Sequence, residues 1–165
     1  LSSSSAASDV YKRQVVNGGG LTGVQILPDD EIEIINDEGN QICEITVFNK
    51  DGKSELGILS LNESKNSSEI KKILFNKNET SLQALYQLKK RNLDIEKSKS
   101  AILFDKDTVA KETIKLKSKD KCYCIISAPG NAMLVHEQNP STDLTILVKR
   151  AEKKQDKEFL SLIHI

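Results

Sequence analysis

The chain has 165 residues, with 24 basic and 24 acidic side chains, two His, three Cys and no Trp. A net charge of zero excludes the electrostatic footprint of a DNA-, RNA- or anionic-membrane-binding domain, and no apolar run is long enough for a transmembrane helix. Three cysteines in a chain of ordinary domain size are no disulfide framework, which points to a reducing cytoplasm.

Ser4 to Gln14 reads SSAASDVYKRQ, and Leu160 to Ile165 reads LSLIHI. A coding string ending GATGTGTATAAGAGACAG gives the first. The reverse complement of that ending, CTGTCTCTTATACACATC, gives the second. Both resemble the transposon end of sequencing-library adapters, read through in frame from opposite strands. Residues 1–14 and 160–165 are therefore expected to be non-native and are set aside in reasoning about the fold. The natural segment is expected to be 15–159: one domain over 15–150, then a charged linker over 151–159 expected to lead to a covalently attached downstream domain. It keeps 22 basic and 23 acidic residues, with 20 Lys against two Arg, and one histidine, His136. The Lys bias, with frequent Asn and Ile, reads as an A/T-rich bacterial genome.

Gly18, Gly20 and Gly23 match G-x-G-x-x-G. A dinucleotide site needs a helix after the glycines, but Val24 to Leu27 reads as a strand, so this is an entry segment or bulge. Glu31 to Ile35 alternates as a strand. Asp37-Glu38-Gly39-Asn40 is a tight turn, and Gln41 to Phe48 is rich in β-branched residues, as a second strand should be. After a turn at Asn49–Gly52, Gly57 to Leu61 is expected to be a third strand, making a meander.

The middle changes period. Asn66 can cap a helix, with Glu69 three residues on, and Ile70, Ile73 and Leu74 share a face. Thr80 and Gln83 repeat the signal. Leu82, Leu85 and Tyr86 are expected to form the next apolar stripe, with Leu88 at its margin. Lys89, Lys90 and Arg91 suit the last turn, and Asn92 suits the stop.

Strands return at Ala101–Phe104, Glu112–Leu116, Cys122–Ser127 and Thr142–Val148, the last with Leu144, Ile146 and Val148 on one face. The fold class is mainly β with a helical insertion (α+β): an antiparallel β-sandwich or open barrel plus two amphipathic helices.

Two constellations carry candidate chemistry. Cys122-Tyr123-Cys124 in a strand puts both sulfurs on one face. Cys43 and His136 would complete a four-ligand zinc set if the fold gathers them; otherwise the cysteines are small core hydrophobes. His136 is also the one imidazole available to Glu137 or to a thiol for acid–base work.

The Asp37–Gln41 turn, followed by Phe48-Asn49, then Ala128-Pro129-Gly130 to Met133 and Asn139-Pro140-Ser141-Thr142-Asp143-Leu144, resemble the urea carboxylase-associated protein family in order and separation. The resemblance covers both β-rich thirds. It implies a bacterial accessory or small-molecule-binding domain within a larger protein of amine, urea or one-carbon metabolism. Carried over residue by residue, Asn40, Gln41, Asn139 and Asp143 are the matching ligand-binding candidates, joined by His136; the same residue types also build turns through local hydrogen bonds. Fuller family members have polar and cysteine-containing motifs in the middle, where this chain has Lys-rich helices, which favours a reduced, non-catalytic version. Similar domains precede folate-dependent aminomethyltransferase modules, so an alternative is the N-terminal part of such an enzyme, with tetrahydrofolate bound in a module beyond 159. The third alternative is an isolated metal-binding protein.

Overall fold

The computed structural model describes residues 11–64, 69–75, 79–105, 107–130 and 141–151. Eight strands run in chain order: β1 (Tyr11–Val16), β2 (Leu21–Ile26), β3 (Glu31–Asn36), β4 (Glu44–Phe48), β5 (Ser100–Ile102), β6 (Glu112–Lys117), β7 (Cys122–Ser127) and β8 (Leu144–Lys149). Two helices, α1 (Glu69–Phe75) and α2 (Glu79–Lys90), lie between β4 and β5. The strands form two four-stranded sheets, β1-β8-β3-β6 and β2-β7-β4-β5, with every pairing antiparallel. This is a β-sandwich with a helical insertion, and its strand order is that of a jelly roll.

Successive strands in the first third alternate between the sheets, so none pairs with its neighbour in sequence. The expected meander is thus corrected: the first four strands are joined through β7 and β8, more than a hundred residues later for some pairs. Gly57 to Leu61 is not a strand either. Leu56–Leu59 is a 3-10 turn ended by Ser60 in the left-handed region (φ 58°). A short apolar run fits either state, and here Leu56, Ile58 and Leu59 all reach the core from one tight turn.

Period-2 alternation builds the interior. In the first sheet Ile32 and Ile34 face Val148 and Ile146 across the β3–β8 ladder. In the second sheet Val24, Ile26, Ile45, Val47, Cys122, Cys124 and Ile126 point the same way, and all join one buried cluster. The predicted face of β8, with Leu144, Ile146 and Val148, is fully buried.

The outer face of the second sheet is apolar too. Leu21, Phe48 and Ile125 lie there with Ile70 and Leu74 of α1 and Leu88 of α2. Glu44, also on that face and buried, accepts the Ile70 N–H at 3.0 Å and so ties the first turn of α1 to the sheet. Helix α2 ends in a Schellman arrangement: Asn92 is left-handed (φ 53°), Leu93 N–H reaches Leu88 O at 2.9 Å, and Asn92 N–H reaches Lys89 O at 3.2 Å. The stop at Asn92 is where the sequence placed it. The apolar stripe of α2 is not: Ala84, Leu85 and Leu88 face the sheet, while Leu82 and Tyr86 are 55% and 63% exposed. Leu88, expected at the margin, is the buried anchor.

Strand β1 was not predicted. Its ladder with β8 includes Tyr11 to Gln14, the last residues of the adapter-like read. A backbone ladder forms with almost any side chain, and the side chains of β1 contribute little: Lys12 and Arg13 are exposed, Val15 is 47% exposed, and only Val16 is buried among Lys12 to Val16. Gln14, opposite Ile146, has its Oε1 buried without a hydrogen-bond partner among the described residues. Residues 1–10 and 160–165 lie outside the described residues, as do the 152–159 part of the expected linker and Asn66.

Candidate functional site

Four chain segments meet at one end of the sandwich: the β1–β2 turn, the β3–β4 connection, the segment leaving β7 and the segment entering β8. Gln41 sits at their centre, 1% exposed. Its Nε2 donates to Ile42 O at 2.8 Å and to Pro129 O at 2.9 Å. Its Oε1 accepts the Thr142 N–H at 2.8 Å. Asn36 Nδ2, at the buried end of β3, donates to Gln41 O at 2.8 Å. One side-chain amide therefore joins the two sequence blocks that carry the family resemblance, across separations of 88 and 101 residues.

The neighbouring polar groups are engaged in the same way. Asp143 Oδ1 accepts the Gly18 N–H at 2.9 Å. Thr145 Oγ1 donates to Asp37 Oδ2 at 2.7 Å, and Lys111 lies 3.6 Å from the same carboxylate. Asn40 takes the left-handed turn position (φ 58°) and donates its N–H to Thr108 O at 2.7 Å. The Gly19 N–H reaches Ala128 O at 2.7 Å. Gly18 is required by close approach: a Cβ there would lie 2.5 Å from the backbone of Ser141. The triglycine run is thus a packed β1–β2 turn in this knot, with no helix after it to bind a pyrophosphate.

Of the five ligand-binding candidates, the structure gathers Asn40, Gln41 and Asp143 at this end. His136 and Asn139 lie outside the described residues. Gln41 and Asp143 spend side-chain atoms on the backbone of their own fold, Gln41 with both amide hydrogens and its oxygen, whereas Asn40 is held through its own backbone N–H and its side chain is exposed. Among the described residues no group of three or more His, Cys, Asp or Glu side chains is placed to hold a metal ion.

The cysteines divide. Cys122 and Cys124 share the inner face of β7 as their spacing predicts, with sulfurs 3.8 Å apart. Ser118 Oγ lies 3.7 Å from Cys122 Sγ. Cys43 precedes β4 by one residue, and Val47 is the partner of Cys124. Four residues of extended chain place Cys43 roughly 13 Å from that pair along the strand, beyond the reach of one metal ion with bonds of about 2.3 Å. Burial pushes the Cys43 thiol well above its ordinary value, and neighbouring Glu44 adds to this. The hydrogen bond between the two thiols raises Cys124, with burial adding to the rise, and lowers Cys122. Cys43 and Cys124, held protonated in a dry core, are poor nucleophiles at neutral pH.

Sequence reasoning missed the lock at the opposite end of the sandwich. Asp30, 2% exposed, accepts Arg150 Nη1 at 2.6 Å, the Leu27 N–H at 2.9 Å and the Ala151 N–H at 3.0 Å. Arg150 is one of two Arg in 15–159. In a chain that otherwise uses Lys, that rarity was the visible signal of a position needing a planar, multi-donor cation.

The fold and its Gln41-centred knot define an eight-stranded jelly roll with helices on one sheet. No family model matches the chain. The chain is similar to the trimethylamine-oxide aldolase of Ruegeria pomeroyi, with 30% identity over 149 residues. That alignment covers 90% of this chain but spans only 19% of the relative's length. Among the described residues no helix is long and apolar enough to cross a membrane.

Proposed function

We propose that this chain is a jelly-roll accessory domain of the urea carboxylase-associated type, working within a larger cytoplasmic polypeptide that handles a small amine. The observation that carries the reading is the relative: nearly the whole chain aligns with a minor part of a protein named for an amine-oxide substrate. The knot supports the accessory role, because the residues behind the family resemblance are engaged in joining distant backbone segments. The burial of all three cysteines, with Cys43 and Cys124 held protonated, supports it as well.

A second reading is favoured by the relative's name and length. The parent is itself an enzyme, with tetrahydrofolate-dependent chemistry on a module outside the match, and this domain supports that module. The test is expression of the complete reading frame with and without residues 15–151, beside the chain alone, following trimethylamine N-oxide by proton NMR. Consumption by the complete polypeptide and not by the other two is expected. Turnover by the chain alone would overturn the accessory role. A complete polypeptide inert toward trimethylamine N-oxide, methylamines and urea would overturn the amine assignment.

A further inference from the structure

Between α2 and the outer face of β2 lies a groove of about 690 Å³, within the usual range for small-molecule sites. A smaller cavity of about 220 Å³ adjoins it. Gln25, Arg91 and Tyr123 line both. The Tyr123 ring crosses β2 at Gly23, where a Cβ would meet the phenol oxygen at 1.9 Å, so the glycine makes room for the groove floor. Arg91 lies over that ring, 4.4 Å from its centroid, and its Nε contacts Gln87 Oε1 at 3.4 Å. The guanidinium plane is held by stacking while its outer edge remains available for a bidentate anion contact.

The two compartments differ in chemistry. The larger is walled by Leu21, Leu82, Ala84 and Tyr86. Its exposed Leu82 and Tyr86 belong to the helix face that the sequence assigned to the core. The smaller compartment is ringed by Lys50, Arg91 and Lys121, none of them in an ion pair among the described residues. Among the described residues no Asp or Glu lines either compartment, in a chain with as many acids as bases. Lys12 also reaches the larger groove, but from the adapter-like segment; Lys50, Arg91 and Lys121 supply positive charge without it. Burial raises the Tyr123 phenol above its ordinary value, which keeps it a neutral donor near pH 7.

We infer that this double groove binds an amphipathic organic anion, with an apolar or aromatic body against Leu82 and Tyr86 and a carboxylate or phosphate head on Arg91, Lys50 and Lys121. Cys122, at the start of β7, also lines the smaller compartment, and the site is independent of the accessory role proposed above.

Calorimetric titration and amide NMR of the chain with 2-naphthoate, 2-naphthyl phosphate and 2-naphthylmethylammonium test it. Saturable binding of the anions, with shifts at Gly23, Tyr86 and Tyr123, is expected, and the ammonium should not bind. The tighter of the two anions identifies the head group. Arg91→Gln should weaken anion binding about tenfold, equivalent to ~1.4 kcal/mol. Lys121→Gln and Leu82→Ser, both at the surface, should each weaken it about threefold and stand as the test if Arg91→Gln disturbs the fold. Equal binding of the ammonium, no saturation by either anion, or unchanged affinity in the folded variants would overturn the site.

Discussion

The Gln41 knot and the α2 groove are both rich in polar side chains, yet those side chains have opposite duties. In the knot, amide and carboxylate groups sit beside backbone N–H and C=O groups of distant segments and satisfy them. In the groove, Arg91, Lys50 and Lys121 stand beside apolar walls with no carboxylate to meet among the described residues. Buried polar groups that close their own hydrogen bonds build architecture. Convergent, unneutralised polar groups beside apolar surface are what a ligand needs. Of the residues made conspicuous by the family resemblance, Gln41 and Asp143 fall in the first class, and those in the second carry no motif at all.

The largest break in this comparison comes from the far lock. Asp30→Ala strips two N–H groups and Arg150 of their acceptor, and should cost about 3 kcal/mol in urea unfolding. A loss below ~0.5 kcal/mol, the range of ordinary surface changes, would mean the lock is ornamental. Asn36→Ala removes a single donor to Gln41 O and leaves that carbonyl buried; about 1–2 kcal/mol is expected.

The cysteines give a pH signature. Cys43 and Cys124 have raised values in the folded chain, so unfolding releases protons once pH exceeds the unfolded thiol value of about 8.5. Their contribution is fully present below that pH and is lost as pH rises through the folded values. The urea midpoint should fall between neutral pH and the alkaline range, and Cys43→Ala should flatten that slope. An unchanged slope would remove Cys43 from this account. The smallest effect belongs to the groove: Tyr86→Ser should shift stability by no more than ~0.5 kcal/mol, as expected of an exposed position. A larger loss would show that Tyr86 packs as core after all.

Much of the local structure was legible because period 2 is a local signal. Glu31–Ile35 and Thr142–Val148 announced themselves by alternating apolar residues, and Cys122–Ser127 read as a strand too; all three overlap observed strands, and Asn92 is the stop. Partnering was not legible. Nothing near Val24 says that Cys124 lies beside it, because sheet register depends on surfaces far apart in the chain. The α2 face was misjudged for a related reason. Leu82, Leu85 and Tyr86 are a valid stripe on an isolated helix, but the sheet beneath selected Ala84, Leu85 and Leu88. Of the candidate site, the blocks around Gln41 and Thr142 were visible; their contact was not.

The account rests most on Gln41 being a fastener. Gln41→Leu, followed by urea unfolding and by titration with 2-naphthoate, tests this most directly. Loss of both amide hydrogens and the acceptor oxygen leaves Pro129 O and the Thr142 N–H without their partner. A destabilisation of about 3 kcal/mol is predicted, with 2-naphthoate affinity unchanged in the folded population. A variant as stable as the parent chain, altered only in ligand binding, would contradict the account and make the knot a binding site.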